Sequence, residues 1–126
     1  MVRNVQMLTK GEEEVMQILW SLEKATVSEI IERMHEPKPK YTTVATFIKI
    51  LENKGFIDHE PAGRGFRYYP VLAKEEYAGN VMNSVISNYF NGSLSQMVSF
   101  FSQTENISVG EMDEILELVS KLKKEE

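Results

Sequence analysis

The chain has 126 residues, a formal net charge of −5, two histidines, one tryptophan and no cysteine. The missing cysteines exclude a disulfide scaffold, a thiolate zinc site and a cysteine nucleophile. No apolar run approaches the roughly 18 residues of a membrane span, and the N-terminus lacks the apolar core of a signal peptide. We therefore expect a cytoplasmic protein without membrane insertion, made of one domain or of one small domain with an appendage.

The acidic excess is unevenly distributed. Residues 1–72 carry ten basic and ten acidic side chains, whereas residues 73–126 carry four basic and nine acidic ones. Within the first part, residues 37–72 have a net charge of +3. A locally basic segment can contact phosphates despite an acidic total, because the local field matters more than the sum. The alternative is that these residues form ordinary solvated faces of different sign.

Two capping boxes predict the first two helices. Thr9 with Glu12, and Thr26 with Glu29, both fit the S/T-x-x-E pattern in which each side chain bonds an amide at the helix start. Apolar residues then follow at helical spacing in both segments. The second helix should cover residues 27–35, since Pro37 and Pro39 break the pattern.

The third helix should run from Thr42 to Asn53, with Gly55 as its stop signal. Its buried stripe, at spacing i, i+3, i+4, i+7, consists of Val44, Phe47, Ile48 and Leu51. The opposite face carries mainly small, hydrogen-bonding side chains.

A change of period after the third helix predicts a β-hairpin. Residues 56–59 and 66–71 are short, aromatic-rich strand candidates. Between them, residues 61–65 form the predicted turn, with Arg64 at its tip.

Three further helices should follow the hairpin. The first covers residues 73–90 and is interrupted by Asn91 and Gly92. A short apolar helical segment then includes Leu94 to Phe101, and Ser108 with Glu111 forms a third capping box before the final helix.

This order of elements predicts a mainly α fold with a small β-hairpin wing. Residues 1–72 should form a winged helix-turn-helix DNA-binding domain, and residues 73–126 a helical dimerisation domain. In such modules the third helix enters the major groove, while the hairpin reaches the adjacent backbone or minor groove.

The candidate DNA contacts lie on the third helix, just before it, and on the hairpin. Short hydroxyl side chains permit close approach to base edges, and a threonine methyl can contact thymine. Lys38, before the helix, is a further plausible backbone contact. The predicted contact residues are Lys40, Tyr41, Thr42, Thr43, Ala45, Thr46, Lys49, Arg64 and Arg67. Taken singly, each threonine could equally be an ordinary solvated residue.

The last 54 residues carry more apolar surface than three short helices can hide, which favours a twofold dimer on a palindromic site. The predicted dimerisation residues are Val85, Ile86, Tyr89, Phe90, Leu94, Met97, Val98, Phe101, Met112, Ile115, Leu116 and Val119. Two alternatives remain open. The helices could pack back on the first domain as a monomer, or hold a small molecule among Tyr77, Tyr89 and Phe90.

The sequence provides no constellation for an enzyme, a cofactor or a metal. Neither a Ser-His-Asp arrangement, nor a phosphate-binding loop, nor a dinucleotide motif is present. His35 and His59 have no cluster of further ligands at metal-binding spacing, so we expect surface positions for both.

Four segments together resemble the BlaI/MecI family of bacterial repressors, which includes the copper-responsive CopY type. They are residues 13–20, 41–46, 51–57 and 64–70. The resemblance covers nearly the whole chain. It implies a dimeric winged-helix repressor that binds a palindromic operator and blocks transcription. The alternative function is a winged-helix protein-interaction module without specific DNA binding.

The resemblance also implies how such repressors are inactivated. Penicillinase-type members are cleaved between an asparagine and a phenylalanine under control of a membrane sensor-protease, which is an implied partner. The matching switch region here is Phe100 and Phe101, preceded by Ser99, so the asparagine is missing. Copper-type members carry a cysteine pair, which this chain lacks.

Overall fold

A computed structural model of the chain describes residues 7–104 and 108–124, without the side chains of residues 119 and 121–124. The elements are α1 (Lys10–Leu22), α2 (Val27–Glu32), α3 (Tyr41–Asn53), β1 (Ile57–Ala62), β2 (Gly65–Pro70), α4 (Lys74–Tyr89), α5 (Leu94–Thr104) and α6 (Val109–Lys124). The mainly α fold with a β-hairpin wing is therefore confirmed. The chain divides into two compact units between Met82 and Asn83, within α4.

Both capping boxes form as predicted. At α1, the Glu12 amide donates to Thr9 Oγ1 over 3.3 Å and the Thr9 amide to Glu12 Oε1 over 3.1 Å. The same reciprocal pair joins Thr26 and Glu29 at α2. However, α2 ends at Glu32 rather than at residue 35. Its last turn tightens, since the Arg33 amide bonds to the carbonyl three residues earlier.

The core of the first unit is built from one face of each of the first three helices. Its fully buried larger side chains are Val15, Met16, Leu19, Ile30, Val44 and Leu51. Phe56 and Ile57, at the start of the hairpin, close this core. Burying one face of α3 in this way leaves its other face at the surface.

The hairpin has a tighter turn than the sequence predicted. The two antiparallel strands pair from Ile57 with Pro70 to Ala62 with Gly65, so the loop is only Gly63 and Arg64. The predicted five-residue turn is wrong because Pro61, Ala62 and Gly65 belong to the paired strands. Gly63, with a φ of +63°, supplies the left-handed backbone that a two-residue hairpin loop needs at its first position. Arg64 still lies at the tip.

Tyr77 belongs to the core of the first unit, although it lies in α4. Only 8% of its surface is exposed, and its ring packs against Trp20 and Phe56 with centroid distances of 5.9 and 5.6 Å. Its hydroxyl accepts a hydrogen bond from the Leu8 amide over 3.0 Å. Tyr77 is therefore a structural residue here, rather than part of a ligand site with Tyr89. The start of α4, through Met82, falls within the first unit.

The second unit contains the end of α4 together with α5 and α6. Positive φ values at Asn91 and Gly92 end α4 where the sequence predicted an interruption. At α6, the Glu111 amide donates to Ser108 Oγ over 3.1 Å, so one half of the third capping box forms. Among the described residues, no helix is long and apolar enough to cross a membrane.

The described side chains of the second unit include none that is fully buried. Its predicted dimerisation residues fall into two groups. Partly buried are Val85, Ile86, Phe90, Met97, Val98, Met112 and Ile115. Exposed are Tyr89, Leu94, Phe101 and Leu116, while the side chain of Val119 lies outside the described part.

Candidate nucleic-acid interface

The face of α3 opposite its core stripe is open to solvent. Thr42, Ala45, Thr46 and Lys49 follow one another at spacing i, i+3, i+4, i+7 and so share one side of the helix. Apart from half-buried Ala45, these residues are exposed, as are the other predicted DNA contacts on α3, before it and on the hairpin. The predicted contact residues of α3 are thus free of the core, on a helix of 13 residues.

The threonines present small polar groups at close range. Thr46 Oγ1 donates to the Thr42 carbonyl over 3.0 Å, one turn earlier in the same helix. This bond occupies the hydroxyl proton of Thr46, so its oxygen remains available as an acceptor. In a major groove, that acceptor can pair with the amino group of adenine or cytosine, and the methyl group with thymine.

Four cations among the predicted contacts have no carboxylate partner in residues 7–104 and 108–124. Within the residues that the structure describes, Lys40, Lys49, Arg64 and Arg67 are absent from all ion pairs of 4.0 Å or less. A cation without an internal partner remains able to neutralise a phosphate. The zero net charge of residues 1–72 therefore does not prevent anion binding.

Other cations of the first unit are neutralised internally. Lys24 pairs with Glu60 over 3.2 Å, and Lys54 pairs over 3.0 Å with Glu12, of which only 4% is exposed. Burial raises the pKa of Glu12, but hydrogen bonds from Lys54 and Thr9 outweigh it and hold the pKa below its ordinary value. The carboxylate thus stays charged and fixes the C-terminal end of α3 to the start of α1.

Lys38 has a structural role that the sequence did not reveal. Its ammonium donates to the carbonyls of Glu32 and Met34, over 2.8 and 2.7 Å, at the C-terminal end of α2. These bonds satisfy carbonyl groups that the helix leaves unpaired. Lys38 therefore helps to set the connection between α2 and α3.

The end of α3 contacts the hairpin through a cluster that sequence spacing did not predict. Glu52, Asp58 and His59 bring three potential metal-ligand atoms within 4.8 Å of one another. His59 Nδ1 bonds directly to the Glu52 carboxylate, so these two groups already satisfy each other. The His59 ring packs edge-on against Phe66, with centroids 4.7 Å apart. Because Glu52 comes from another element, only the fold reveals the cluster.

Helices α1 to α3 followed by a paired hairpin define a winged helix-turn-helix protein of the DNA-binding class. The model of the penicillinase repressor family matches residues 8–121. The chain therefore belongs to the penicillinase repressor family, a family of DNA-binding transcriptional repressors.

Individual relatives and a solved structure agree with this family. The penicillinase repressor of Bacillus licheniformis is 26% identical over 125 residues, covering 97% of this chain and 96% of its own. The methicillin resistance regulatory protein MecI of Staphylococcus aureus (strain N315) is 29% identical over 117 residues, covering 90% and 94%. The solution structure of the DNA-binding domain of the repressor BlaI superposes with a TM-score of 0.51 and 25% identity, covering 60% of this chain and 93% of that domain.

Proposed function

We propose that this protein represses transcription as a homodimer bound to a palindromic DNA operator. In this proposal the face of α3 that carries Thr42, Thr46 and Lys49 lies in the major groove. Arg64 and Arg67 bring the hairpin to the adjacent backbone. The observation that carries the proposal is the exposed, small-residue face of α3 together with four cations that have no carboxylate partner among the described residues.

The dimer is proposed from the second unit. None of the described side chains of this unit is fully buried, and those of Tyr89 and Leu116 are 78% and 62% exposed. Apolar surface of this kind gains stability when a second copy covers it. Two copies related by a twofold axis would present two α3 helices to two half-sites. Since chromosomal DNA lies in the bacterial cytoplasm, we propose that the protein acts there.

In vitro selection from a random duplex library, with the full chain, tests this function. We expect enrichment of a sequence with twofold symmetry, bound by two protomers, with an affinity that falls steeply as salt is raised. Recovery of no common sequence would contradict the proposal. A motif without symmetry, bound by one protomer, would contradict the dimer alone.

Inactivation by proteolysis is proposed for the region of Phe100 and Phe101. Both rings are exposed, but the peptide bond between them lies inside α5, so a protease must first unwind part of that helix. We propose a membrane sensor-protease as the enzyme responsible, as for the penicillinase-type members of the family. Mass analysis of fragments from cells under antibiotic stress tests this, and a chain that stays intact while repression is lifted would refute it.

A further inference from the structure

A cleft with a volume of about 310 Å³ opens between the start of α2, the start of α3 and the hairpin. Its lining combines hydroxyl groups, from Ser28, Tyr41 and Tyr68, with the ring of Phe66. Phe66 is 48% exposed and Tyr41 58% exposed, which is high for rings beside a well-packed core. Tyr41 is already a predicted DNA contact, whereas the contacts of α3 in the proposed function do not account for the exposed ring of Phe66.

The position of the cleft suggests its occupant. The proposed function places α3 in the major groove and the hairpin at the adjacent backbone. A single sugar–phosphate strand separates two adjacent grooves of a duplex. With α3 in the major groove and the hairpin at the strand that borders this groove, that strand runs next to the cleft between them.

The chemistry of the cleft suits this strand. The Tyr68 hydroxyl is a hydrogen-bond donor at neutral pH, and burial, followed by the nearby charge of Glu52, raises its pKa further. Within the described part of the chain, the Ser28 and Tyr41 hydroxyls have no hydrogen-bond partner that would compete with a ligand. An exposed ring such as Phe66 can pack against the apolar carbons of a deoxyribose. Arg64, in the turn beside the cleft, adds positive charge.

We propose that this cleft holds one sugar–phosphate segment of the duplex, with Ser28 and Tyr41 donating to phosphate oxygens and Phe66 packing on the sugar. This assignment rests on the proposed function and adds Ser28 and Phe66 to the interface. Contacts to the backbone carry no sequence information by themselves. The cleft therefore contributes affinity and register, whereas the face of α3 contributes sequence preference.

Three variants of the full chain test the assignment: Ser28→Ala, Tyr41→Phe and Phe66→Ala. Each should weaken binding about three- to tenfold, the effect of losing one hydrogen bond or a small apolar contact. The loss should be equal on the selected duplex and on an unrelated duplex of the same length. Ser21→Ala and Val71→Ala, which remove exposed side chains outside the cleft lining, are matched controls and should bind as the unaltered protein does.

Neutral methylphosphonate links, placed one at a time in the selected duplex, show which phosphate the cleft contacts. One link should weaken the unaltered protein, and the same link should weaken Ser28→Ala less, because that contact is already lost. Wild-type affinity of all three variants for both duplexes would overturn the cleft assignment. Failure of the unaltered protein to select any duplex would instead overturn the proposed function. Equal urea unfolding curves confirm that each variant is folded.

Discussion

Phe47 of α3 packs so closely over Gly11 of α1 that a methyl group at position 11 would lie 2.5 Å from its ring carbon Cζ. The two helices approach each other here because Gly11 has no side chain. This contact helps to orient α3, whose opposite face carries the proposed DNA contacts.

Replacement of this glycine tests the contact. We expect Gly11→Ala to lower the free energy of unfolding by about 1–3 kcal/mol, since the ring must shift within a packed interface. Gly79→Ala is the matched control, because a methyl group there meets nothing within 4 Å and alanine favours the helix. Urea denaturation measures both. If the cause is steric, Phe47→Leu should recover part of the loss in the double variant, and no recovery would argue against it.

The ion pair between Glu12 and Lys54 should stabilise the first unit. Glu12→Gln removes the charge from a buried site and leaves Lys54 unpaired, so we expect a loss of about 1.5–3 kcal/mol. Glu13→Gln, in the same helical turn but exposed, should have a much smaller effect. Thermal unfolding compares the two variants. Equal shifts would mean that the pairing contributes little beyond the general charge of the helix start.

The carboxylates of the first unit predict how stability depends on pH. The pKa of Glu12 lies below its ordinary value of 4.5 for the reasons given above. The pKa of Glu14 is likewise lowered, first by a hydrogen bond from the His35 amide and then by the His35 side chain. Since the folded state holds both carboxylates ionised, their contribution is complete above pH 4.5 and is lost as the pH falls through the lowered values.

Urea unfolding at a series of pH values measures this loss. We expect the midpoint to fall as the pH drops below 4.5. The decline should be shallower in Glu12→Gln, which has already lost one of the two groups. A midpoint that rises as the pH is lowered would contradict the expectation that the folded state favours the ionised form of these carboxylates.

The hydroxyl of Tyr77 should stabilise the packing of the start of α4 within the first unit. Tyr77→Phe keeps the ring in the core but leaves the Leu8 amide without its partner, which should cost about 1 kcal/mol. Tyr89→Phe, on the exposed part of the same helix, is the control and should change the stability little. Amide hydrogen exchange at Leu8 gives a local measurement. Unchanged exchange in Tyr77→Phe would contradict the bond.

Salt dependence distinguishes a free cation from a paired one. We expect Lys49→Ala to weaken DNA binding and to reduce the slope of log affinity against log salt by about one, as for a lost phosphate contact. Lys24→Ala should leave that slope unchanged, since Lys24 is paired with Glu60. If both variants reduce the slope equally, internal pairing does not decide which lysines reach the DNA.

The proposed dimer can be broken at the second unit. Leu116→Glu places a charge on an exposed apolar position of α6, and we expect sedimentation to show monomers at concentrations where the unaltered protein is dimeric. Ser120→Glu adds the same charge at another exposed position of that helix and should leave the dimer intact. Dimers in both variants would exclude Leu116 from the interface.

The helices and strands of this protein, and their order, could be predicted from the sequence alone. Local signals sufficed, because a capping box such as Thr9 with Glu12 and a four-residue stripe on α3 act within one or two helical turns. The family resemblance followed from the same linear segments and was confirmed by a family match over residues 8–121. Exposure of the small-residue face of α3 also followed, since the apolar stripe could only face inwards.

Which side chains are available for binding depends on contacts that appear only in the folded chain. In the sequence, Lys38 and Lys54 cannot be distinguished from Lys40 and Lys49. In the folded chain, Lys38 caps the end of α2 and Lys54 forms an ion pair with Glu12. In the sequence, Tyr77 belongs to the helical region that follows the hairpin, yet its ring packs against Trp20 and Phe56. These outcomes depend on residues more than 15 positions apart, or on where a neighbouring helix ends. The periodicity of one element contains no information on the partners that another element brings to it.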